Sequence, residues 1–205
     1  MKNNLMIAAL LAIAVSCSQK PTESGGADSL QTAPADSSVN DSTATAMEAT
    51  MNIEETTTTD QYLMVMSDSA ASTQEIGQKL GAIYGKIGAC AAKCKMEMAG
   101  PPAAWYNGPN APWAFTAGLP FKSKCSKPDQ GISVKEIKGG KAVVVHFFGP
   151  YDQTGKGYEA GQSYMKEKNL MAGGAPYEVY VTDPAAEKDP YKVQTDIVFP
   201  LQQAK

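Results

Sequence analysis

The sequence predicts an α+β domain: two pseudo-symmetric β-α-β-β units that form a mostly antiparallel sheet with two helices. A strand–helix–strand–strand pattern occurs between residues 62 and 121 and again between residues 141 and 201. The final strands of the two copies are alike, WAFTAGLPF and VQTDIVFPL, with Pro120 and Pro200 in register. Because one such unit leaves part of its sheet uncovered, the two units are expected to pair around one core. A central ligand groove is expected between them, since pockets favour internal interfaces.

The first unit begins with a short apolar strand, Tyr62–Met66. Ser72 and Glu75 have the spacing of a capping box, which predicts the start of a helix. That helix places its apolar side chains on one face at a period near 3.6 residues, namely Ile76, Leu80, Ile83, Tyr84, Ile87, Cys90 and Cys94. Strands are expected next within 100–106 and at Trp113–Phe121.

The second unit repeats this order. Lys141–Phe148 predicts a strand, a Gly-Pro-Tyr turn follows, and a helix is expected over about Thr154–Asn169. Two further strands are expected at Tyr177–Thr182 and Val193–Leu201. The segment 174–180 parallels 100–106, which aligns Tyr180 with Tyr106 and Glu178 with Ala104.

Residues 1–17 have the layout of a lipoprotein signal peptide. A positive start is followed by an apolar run, Leu5–Val15, that is too short to span a bilayer. Cys17 follows small residues, as in a bacterial lipobox, although Ala14 stands where leucine is commoner. The alternative is an ordinary signal peptide with an incidental cysteine. We expect an exported protein, lipid-anchored through Cys17 in the bacterial cell envelope at its periplasmic or outer-membrane face.

Residues 18–61 are predicted to form a disordered acidic tether, and residues 62–205 the folded domain. The tether is rich in Ser and Thr and has few large apolar side chains, so it cannot offset its ordering entropy. It carries eight of the 21 acidic residues. The domain has sixteen lysines against thirteen acidic residues, and the chain has no arginine. This balance predicts no nucleic acid partner.

Three segments of the domain resemble the GyrI-like, or AraC-type effector-binding, domains, which are related to the SOUL haem-binding group. The segments are HFFGPY at 146–151, EVYVTDP at 178–184 and VFPL at 198–201. The resemblance covers essentially all of residues 62–201 and implies a small-molecule-binding module, often for cationic or bulky apolar compounds. Some members are fused to transcription regulators, and others hydrolyse strained cyclopropane-containing toxins. This chain departs from the regulators in its expected export and in lacking a recognisable DNA-binding segment.

Glu178 is the central candidate for ligand binding, because a carboxylate among apolar and aromatic strand residues needs a compensating partner. Strand alternation places Glu178 and Tyr180 on one face, which we expect to line the groove, and Tyr177 and Val179 against a helix. The resemblance implies an acidic ligand-binding residue on this strand, and Glu178 matches it. A carboxylate beside aromatic rings suits a lipophilic cation. Pairing of Glu178 with a lysine or a tyrosine hydroxyl, or exposure to solvent, is the alternative.

Tyr106 and Trp113 complete the expected ligand-binding set of Glu178, Tyr180, Tyr106 and Trp113. Tyr106 is the counterpart of Tyr180 in the first unit, which predicts one tyrosine on each side of the acid. Trp113 and Phe115 share one face of their strand and are candidates for the floor of the groove, although such residues are more often part of a core.

No cofactor and no metal site are predicted. His146, the sole histidine, lies in an apolar strand where a core or edge role is commoner than ligation, with haem as the alternative implied by the SOUL kinship. Cys90 and Cys94 are one helical turn apart, too distant to bridge each other. Export would permit a disulfide from Cys125 to Cys90 or Cys94, and three buried or free thiols are the rival arrangement.

The expected function is therefore an envelope-anchored binding module for an amphipathic or cationic small molecule. One alternative is a hydrolase that detoxifies strained or electrophilic xenobiotics of the cyclopropanoid type. In that case Glu178 would position or deprotonate water and Tyr180 would assist as an acid. A second alternative is an interaction module that binds a lipid or a peptide.

Overall fold

A computed structural model describes residues 47–203 of the 205-residue chain. The expected signal peptide, Cys17 and most of the expected tether lie outside the described residues. Within them, no helix is both long enough and apolar enough to cross a membrane. The strands and helices are β1 (Thr50–Thr58), β2 (Gln61–Ala70), α1 (Thr73–Lys93), β3 (Ala103–Tyr106), β4 (Trp113–Phe121), β5 (Ser133–Ile137), β6 (Gly140–Phe148), α2 (Thr154–Glu167), β7 (Tyr177–Tyr180) and β8 (Gln194–Pro200).

The predicted duplication is confirmed. The first unit is β2-α1-β3-β4 and the second is β6-α2-β7-β8, and all eight strands join one sheet in the order β1-β6-β8-β7-β3-β4-β2-β5. Every pairing is antiparallel. Pro120 lies opposite Leu63 and Pro200 opposite Ala142, so the two prolines occupy equivalent places. The units meet at the pairing of β3 with β7, in the middle of the sheet.

Helix α1 begins as the capping box predicts. The Ser72 hydroxyl accepts a hydrogen bond from the Glu75 backbone N–H at 3.2 Å. The returning bond runs from the Ala71 N–H to the Glu75 carboxylate at 2.8 Å, one residue earlier than the standard motif. All seven residues of the predicted apolar face pack into one core cluster, with Ile83, Ile87 and Cys90 fully covered.

Residues 50–58 correct the predicted extent of the disordered tether. They form β1, which pairs along its whole length with β6, from Thr50 opposite Phe148 to Thr58 opposite Gly140. Four of its nine side chains (Met51, Ile53, Thr56 and Thr58) are partly covered and none is fully buried, so backbone pairing and β-branched residues, more than deep burial, hold this strand in place. The Ser/Thr-rich composition of the wider segment concealed this strand.

The two edge strands are exchanged between the units, and this exchange bends the sheet. β1 precedes the first unit but pairs with β6 of the second, and β5 precedes the second unit but pairs with β2 of the first. β1 and β2 lie six positions apart in the sheet, about 29 Å if the sheet were flat. Thr59 and Asp60 alone connect them, and three Cα steps reach at most about 11 Å. The sheet must therefore fold back on itself.

The folded sheet has an inner face without helices and an outer face that carries both. The inner face packs side chains of both units into one cluster, namely Leu63, Val65, Ala103, Trp105, Ala142, Val144, Tyr177 and Val198. On the outer face α1 covers the first unit and α2 covers the second, each over its own apolar cluster. The space between the two helices, above β3 and β7, is where the candidate site lies.

Candidate functional site

Glu178 lies on the outer face at the centre of the sheet. Alternation along β7 places Glu178 and Tyr180 on this face, as predicted. The expected helix contact of Tyr177 and Val179 is wrong: both belong to the inner face, where the Tyr177 ring lies 5.1 Å from the Trp105 ring. The face that carries the acid is thus also the face that carries the helices.

The pseudo-twofold axis passes beside Glu178. Ala104, its counterpart in the first unit, lies directly opposite it on β3. A residue that pairs with its own counterpart marks the symmetry axis of two antiparallel strands. The carboxylate therefore lies at the junction of the two units, and the small Ala104 side chain leaves it without a symmetric second acid.

Tyrosines from both units surround this carboxylate. The Tyr158 hydroxyl, on α2, donates to Glu178 Oε1 at 3.2 Å. The hydroxyls of Tyr106 and Tyr180 lie 2.8 Å apart and share a hydrogen bond. Tyr151, in a short 3₁₀ turn before α2, packs its ring perpendicular to that of Tyr180, with the ring centroids 5.8 Å apart.

Tyr84 completes the arrangement from α1. Its hydroxyl is buried and forms no hydrogen bond within the described residues. Tyr84 and Tyr158 are counterparts at the same 74-residue offset that relates Tyr106 to Tyr180. The Tyr158 hydroxyl donates to the Glu178 carboxylate, whereas the strand position equivalent to Glu178 in the first unit is Ala104, which offers Tyr84 no side-chain acceptor. Of these two counterpart tyrosines, one therefore has a hydrogen-bond partner and the other has none within the described residues.

The Glu178 carboxyl group is buried, with 6 % of the residue exposed. Burial raises the pKa of Glu178 to about 7, and the neighbouring hydroxyl groups of Tyr180 and Tyr158 offset part of the shift. Burial, with a smaller effect of the nearby carboxylate, also raises the pKa values of Tyr106 and Tyr158, so both remain neutral donors. Near neutral pH the site thus contains one group that changes charge among phenols that do not.

Three of the four predicted ligand-binding residues come together, and Trp113 stays apart from them. Glu178, Tyr180 and Tyr106 share the site, whereas Trp113 opens β4 at the far end from Phe121 and lies opposite Ala70. Phe115, two residues further along, provides the aromatic contact instead, with its ring 5.8 Å from that of Tyr106. Within residues 47–203, no ring stacking or hydrogen bond joins the Trp113 side chain to this cluster.

Sequence reasoning missed Tyr84, Tyr151 and Tyr158. The signal was present in the repeat itself, because the offset that aligned Tyr106 with Tyr180 also aligns Tyr84 with Tyr158. A tyrosine in the apolar stripe of a helix predicts a core residue, and Tyr84 does pack against the core. Only the arrangement of the two helices above Glu178 shows that both hydroxyls lie near the acid.

Two cavities lie elsewhere on the molecule. One, of about 160 Å³, is at the rim of the sheet beside Gly139 and Tyr177, and the other, of about 360 Å³, is beside the end of α2 near Met165 and Leu170. Neither is lined by Glu178 or by the tyrosines around it. The site at Glu178 is covered by its own aromatic side chains.

His146 lies on the inner face of the sheet, away from Glu178. Its Nδ1 is 2.8 Å from the Asp196 carboxylate and its Nε2 is 3.4 Å from that of Glu54. These carboxylates raise the pKa of His146 despite partial burial, which acts in the opposite direction. His146 is thus a paired strand residue, in agreement with the commoner of its two predicted roles.

The three cysteines of the domain come together at the end of α1. Cys90, Cys94 and Cys125 are free thiols, and their sulfur atoms all lie within 4.8 Å of one another. The disulfide from Cys125 to the helix that export would permit is not formed, although its partners are adjacent. No metal site is predicted from the sequence, because it has one histidine and no acidic cluster with the spacing of metal ligands.

The comparison with protein families agrees with the fold. The family described as "GyrI-like small molecule binding domain" matches residues 31–202. This chain belongs to that family. The resemblance stated from three short segments is confirmed, and the domain is a small-molecule-binding domain. Among curated proteins, none matches the chain.

Solved structures share the fold of this GyrI-like domain at low sequence identity. The EcmrR C-terminal domain has a TM-score of 0.64 at 15 % identity, over 77 % of this chain and 100 % of that chain. EcmrR in a complex with DNA has a TM-score of 0.66 at 14 % identity, over 75 % of this chain. A hydrolase from Listeria innocua has a TM-score of 0.55 at 12 % identity, over 73 % of this chain and 91 % of that chain. This chain spans 58 % of the EcmrR chain in the DNA complex.

Proposed function

We propose that this domain binds a lipophilic organic cation against Glu178, between α1 and α2. The observation that carries the proposal is a buried carboxylate among neutral tyrosines at the junction of the two units. Within the described residues, no lysine or histidine forms an ion pair with Glu178, and its hydrogen-bond donor is the neutral Tyr158 hydroxyl. A buried carboxylate without a cationic partner is electrostatically unfavourable when ionised, and a cationic ligand removes that cost.

The aromatic side chains add affinity and select ligand chemistry. A cation near a tyrosine face is attracted by about 0.5–2 kcal/mol per ring. The rings also provide apolar area for bulky substituents, while a hydrophilic cation would lose its hydration without replacement. The site therefore favours a cation whose charge is spread over, or shielded by, apolar groups.

Access to the acid requires movement of the aromatic cover. Tyr151 is the exposed part of that cover, with 41 % of its surface in contact with solvent. It lies in a short turn and packs its ring perpendicular to that of Tyr180. Displacement of Tyr151 and separation of the Tyr106–Tyr180 hydroxyl pair would open a path to Glu178 without moving either helix.

Calorimetry with two ions of the same shape and opposite charge tests the proposal. Tetraphenylphosphonium should bind the wild-type protein at pH 8, and tetraphenylborate should not. Glu178→Gln should weaken phosphonium binding by at least about tenfold, or about 1.4 kcal/mol. Glu159→Gln, an exposed acid on α2, should leave it unchanged. Equal affinity of the Glu178→Gln and wild-type proteins for the phosphonium would refute the proposal.

Proton release provides an independent measurement. Because the cation binds the ionised carboxylate, wild-type affinity should fall about tenfold per pH unit below the pKa of Glu178. At pH 7 the observed binding enthalpy should depend on the ionisation enthalpy of the buffer. The Glu178→Gln variant should show neither effect.

Hydrolysis of an electrophilic xenobiotic is the second candidate, favoured by the pKa of Glu178 near 7. A general base works best when its pKa is close to the operating pH. In this reaction Glu178 would accept a proton from water, and Tyr180 would donate one to the leaving group. Turnover of a cyclopropane-containing electrophile by the purified wild-type protein, absent in Glu178→Gln, would support it. Stoichiometric binding without product would leave the binding function alone.

We further propose that the domain is held at the cell envelope by lipid on Cys17. The support is the apolar run 5–15 followed by small residues and Cys17. Stable anchoring needs more than one acyl chain, as a lipidated N-terminal cysteine provides. Cys17→Ser should move the protein from the membrane fraction to the soluble fraction of a bacterial expression host.

A further inference from the structure

The cysteines at the end of α1 form a cluster that the cation site does not use. Cys90 and Cys94 lie one turn apart on the helix, and Cys125 follows β4 in the loop that returns beside it. Cys90 and Cys125 are buried, and Cys94 is partly exposed. Their three sulfur atoms lie within 4.8 Å of one another. The cluster is thus buried at Cys90 and Cys125 and accessible to solvent at Cys94.

We propose that Cys90, Cys94 and Cys125 form a binding site for one copper(I) ion. Thiolate sulfur is the ligand class that soft d¹⁰ ions prefer. With metal–sulfur distances of about 2.3 Å, three sulfurs around one ion lie about 4 Å apart. The observed spacing needs a contraction of less than about 1 Å, within reach of side-chain rotation at the partly exposed Cys94.

The surroundings of the sulfurs favour three ligands over four. Structural zinc sites have four protein ligands, and within the described residues no histidine or carboxylate joins the three thiols as a fourth. The acidic side chains nearest in sequence are already paired, Glu97 with Lys122 and Asp129 with Lys93, the latter at 2.7 Å. Copper(I) is stable with three thiolates, which makes it the ion that fits this donor set.

The loop already supplies a second layer of contacts to the sulfur atoms. The Asp129 backbone N–H donates to Cys90 Sγ at 3.3 Å, and the Cys94 thiol lies 4.0 Å from the Lys127 carbonyl. An N–H donor to sulfur stabilises the negative charge that a thiolate ligand carries. The loop therefore orients the sulfur atoms and does not merely cover them.

The fold does not require cysteines at these positions. At the 74-residue offset the helical pair corresponds to Tyr164 and Lys168 on and after α2. The second unit builds the same helix and strands with these residues. Packing alone thus leaves the choice of three convergent thiols unexplained, and a shared ligand explains it.

Copper(I) titration of the reduced full-length chain under anaerobic conditions tests the site. Cys17→Ser in all samples removes the one other cysteine of the chain. Native mass spectrometry should show one copper ion per chain, retained against a competing copper(I) chelator, and X-ray absorption should show three sulfur ligands. Cys94→Ser, at the partly exposed position, and Cys125→Ser should each lower the affinity by more than about tenfold.

Two results would overturn the inference. One is unchanged copper affinity in a correctly folded Cys94→Ser protein, which would place the ion elsewhere. The other is a disulfide between Cys125 and α1, in protein isolated without reductant, that copper(I) and a mild reductant do not replace. Glu178→Gln serves as the control and should bind copper as the wild type does, which separates this test from that of the cation site.

Discussion

The interface between helix and sheet is filled differently in the two units: large apolar side chains come from the helix in the first unit and from the strand in the second. In the first unit the helix supplies Ile83 and Ile87, which pack above small and medium strand residues that include Ala117. In the second unit the helix supplies Gly157 and Gly161 at the equivalent positions, and the strand supplies Ile197 and Phe199. Both helix–sheet interfaces are therefore filled, as close packing requires, but the helix provides the bulky residues in the first unit and the strand provides them in the second.

The polar residues of the two units differ in a way that packing does not explain. The paired tyrosines of both helices and both central strands are retained, but Glu178 faces Ala104 across the axis. If an acid stood in place of Ala104, its carboxylate would face that of Glu178, and two facing carboxylates in a buried site could not both ionise. One acid gives a site with a single negative charge, and this asymmetry is the reason why we propose that the site binds one cation.

The largest expected effect comes from removing that charge. Ionisation of Glu178 is disfavoured in the folded protein, because its pKa there is about 7 instead of 4.5. Stability should therefore fall as the pH rises from about 4.5 to 7, by about 3 kcal/mol in total. Glu178→Gln, which stays neutral, should be more stable than the wild type at pH 8.5 by about this amount and nearly equal to it at pH 4.5.

Urea unfolding of both proteins at the two pH values measures this difference. Glu159→Gln is the matched control, since it makes the same substitution at an exposed position on α2. A Glu178→Gln protein that is less stable than the wild type at pH 8.5 would mean that the carboxylate has a cationic partner in the folded state. The asymmetry between the units would then be structural.

The second prediction tests the finding that the large side chains come from the helix in the first unit and from the strand in the second. Gly161→Ala should destabilise the protein by about 1–3 kcal/mol, because the added methyl group meets the buried Phe199 ring. Gly85→Ala, on the open side of α1, should instead stabilise it by up to about 1 kcal/mol. Thermal or urea unfolding of the two variants measures both signs. Stabilisation by Gly161→Ala would show that α2 can move away from the sheet.

A structural feature can be predicted from this sequence when the residues that determine it are close together in the chain or belong to the repeat. The units, the α1 face and the buried acid follow from local patterns and a repeat, which a single sequence displays. β1 was missed because its partner β6 is far away in sequence and its own segment resembles a tether. The sequence allowed Cys125 to lie beside Cys90 or Cys94, but the convergence of all three thiols depends on the path of the chain after β4, which only the fold gives.

The tyrosines show the same limit at the site itself. Tyr106 was found because it shares a strand position with Tyr180, whereas Tyr84 and Tyr158 lie on helices whose placement above the sheet is a tertiary property. Trp113 was expected in the site from its strand face alone, but strand position along that face also matters, and it lies beyond Phe115. Periodicity identifies a face, and only the fold determines which part of the face meets the acid.

The smallest expected effect is also the most direct comparison of the units, because it removes the same atom from counterpart residues. Tyr158→Phe removes the donor to Glu178 and should destabilise the protein by about 1 kcal/mol at pH 8.5. Tyr84→Phe removes a buried hydroxyl that has no hydrogen-bond partner in the described residues, and should be neutral or slightly stabilising. Urea unfolding at pH 8.5 measures both. Equal losses in the two variants would mean that Tyr84 has an equivalent polar contact, and the single acid would then not be what distinguishes the two sides of the site.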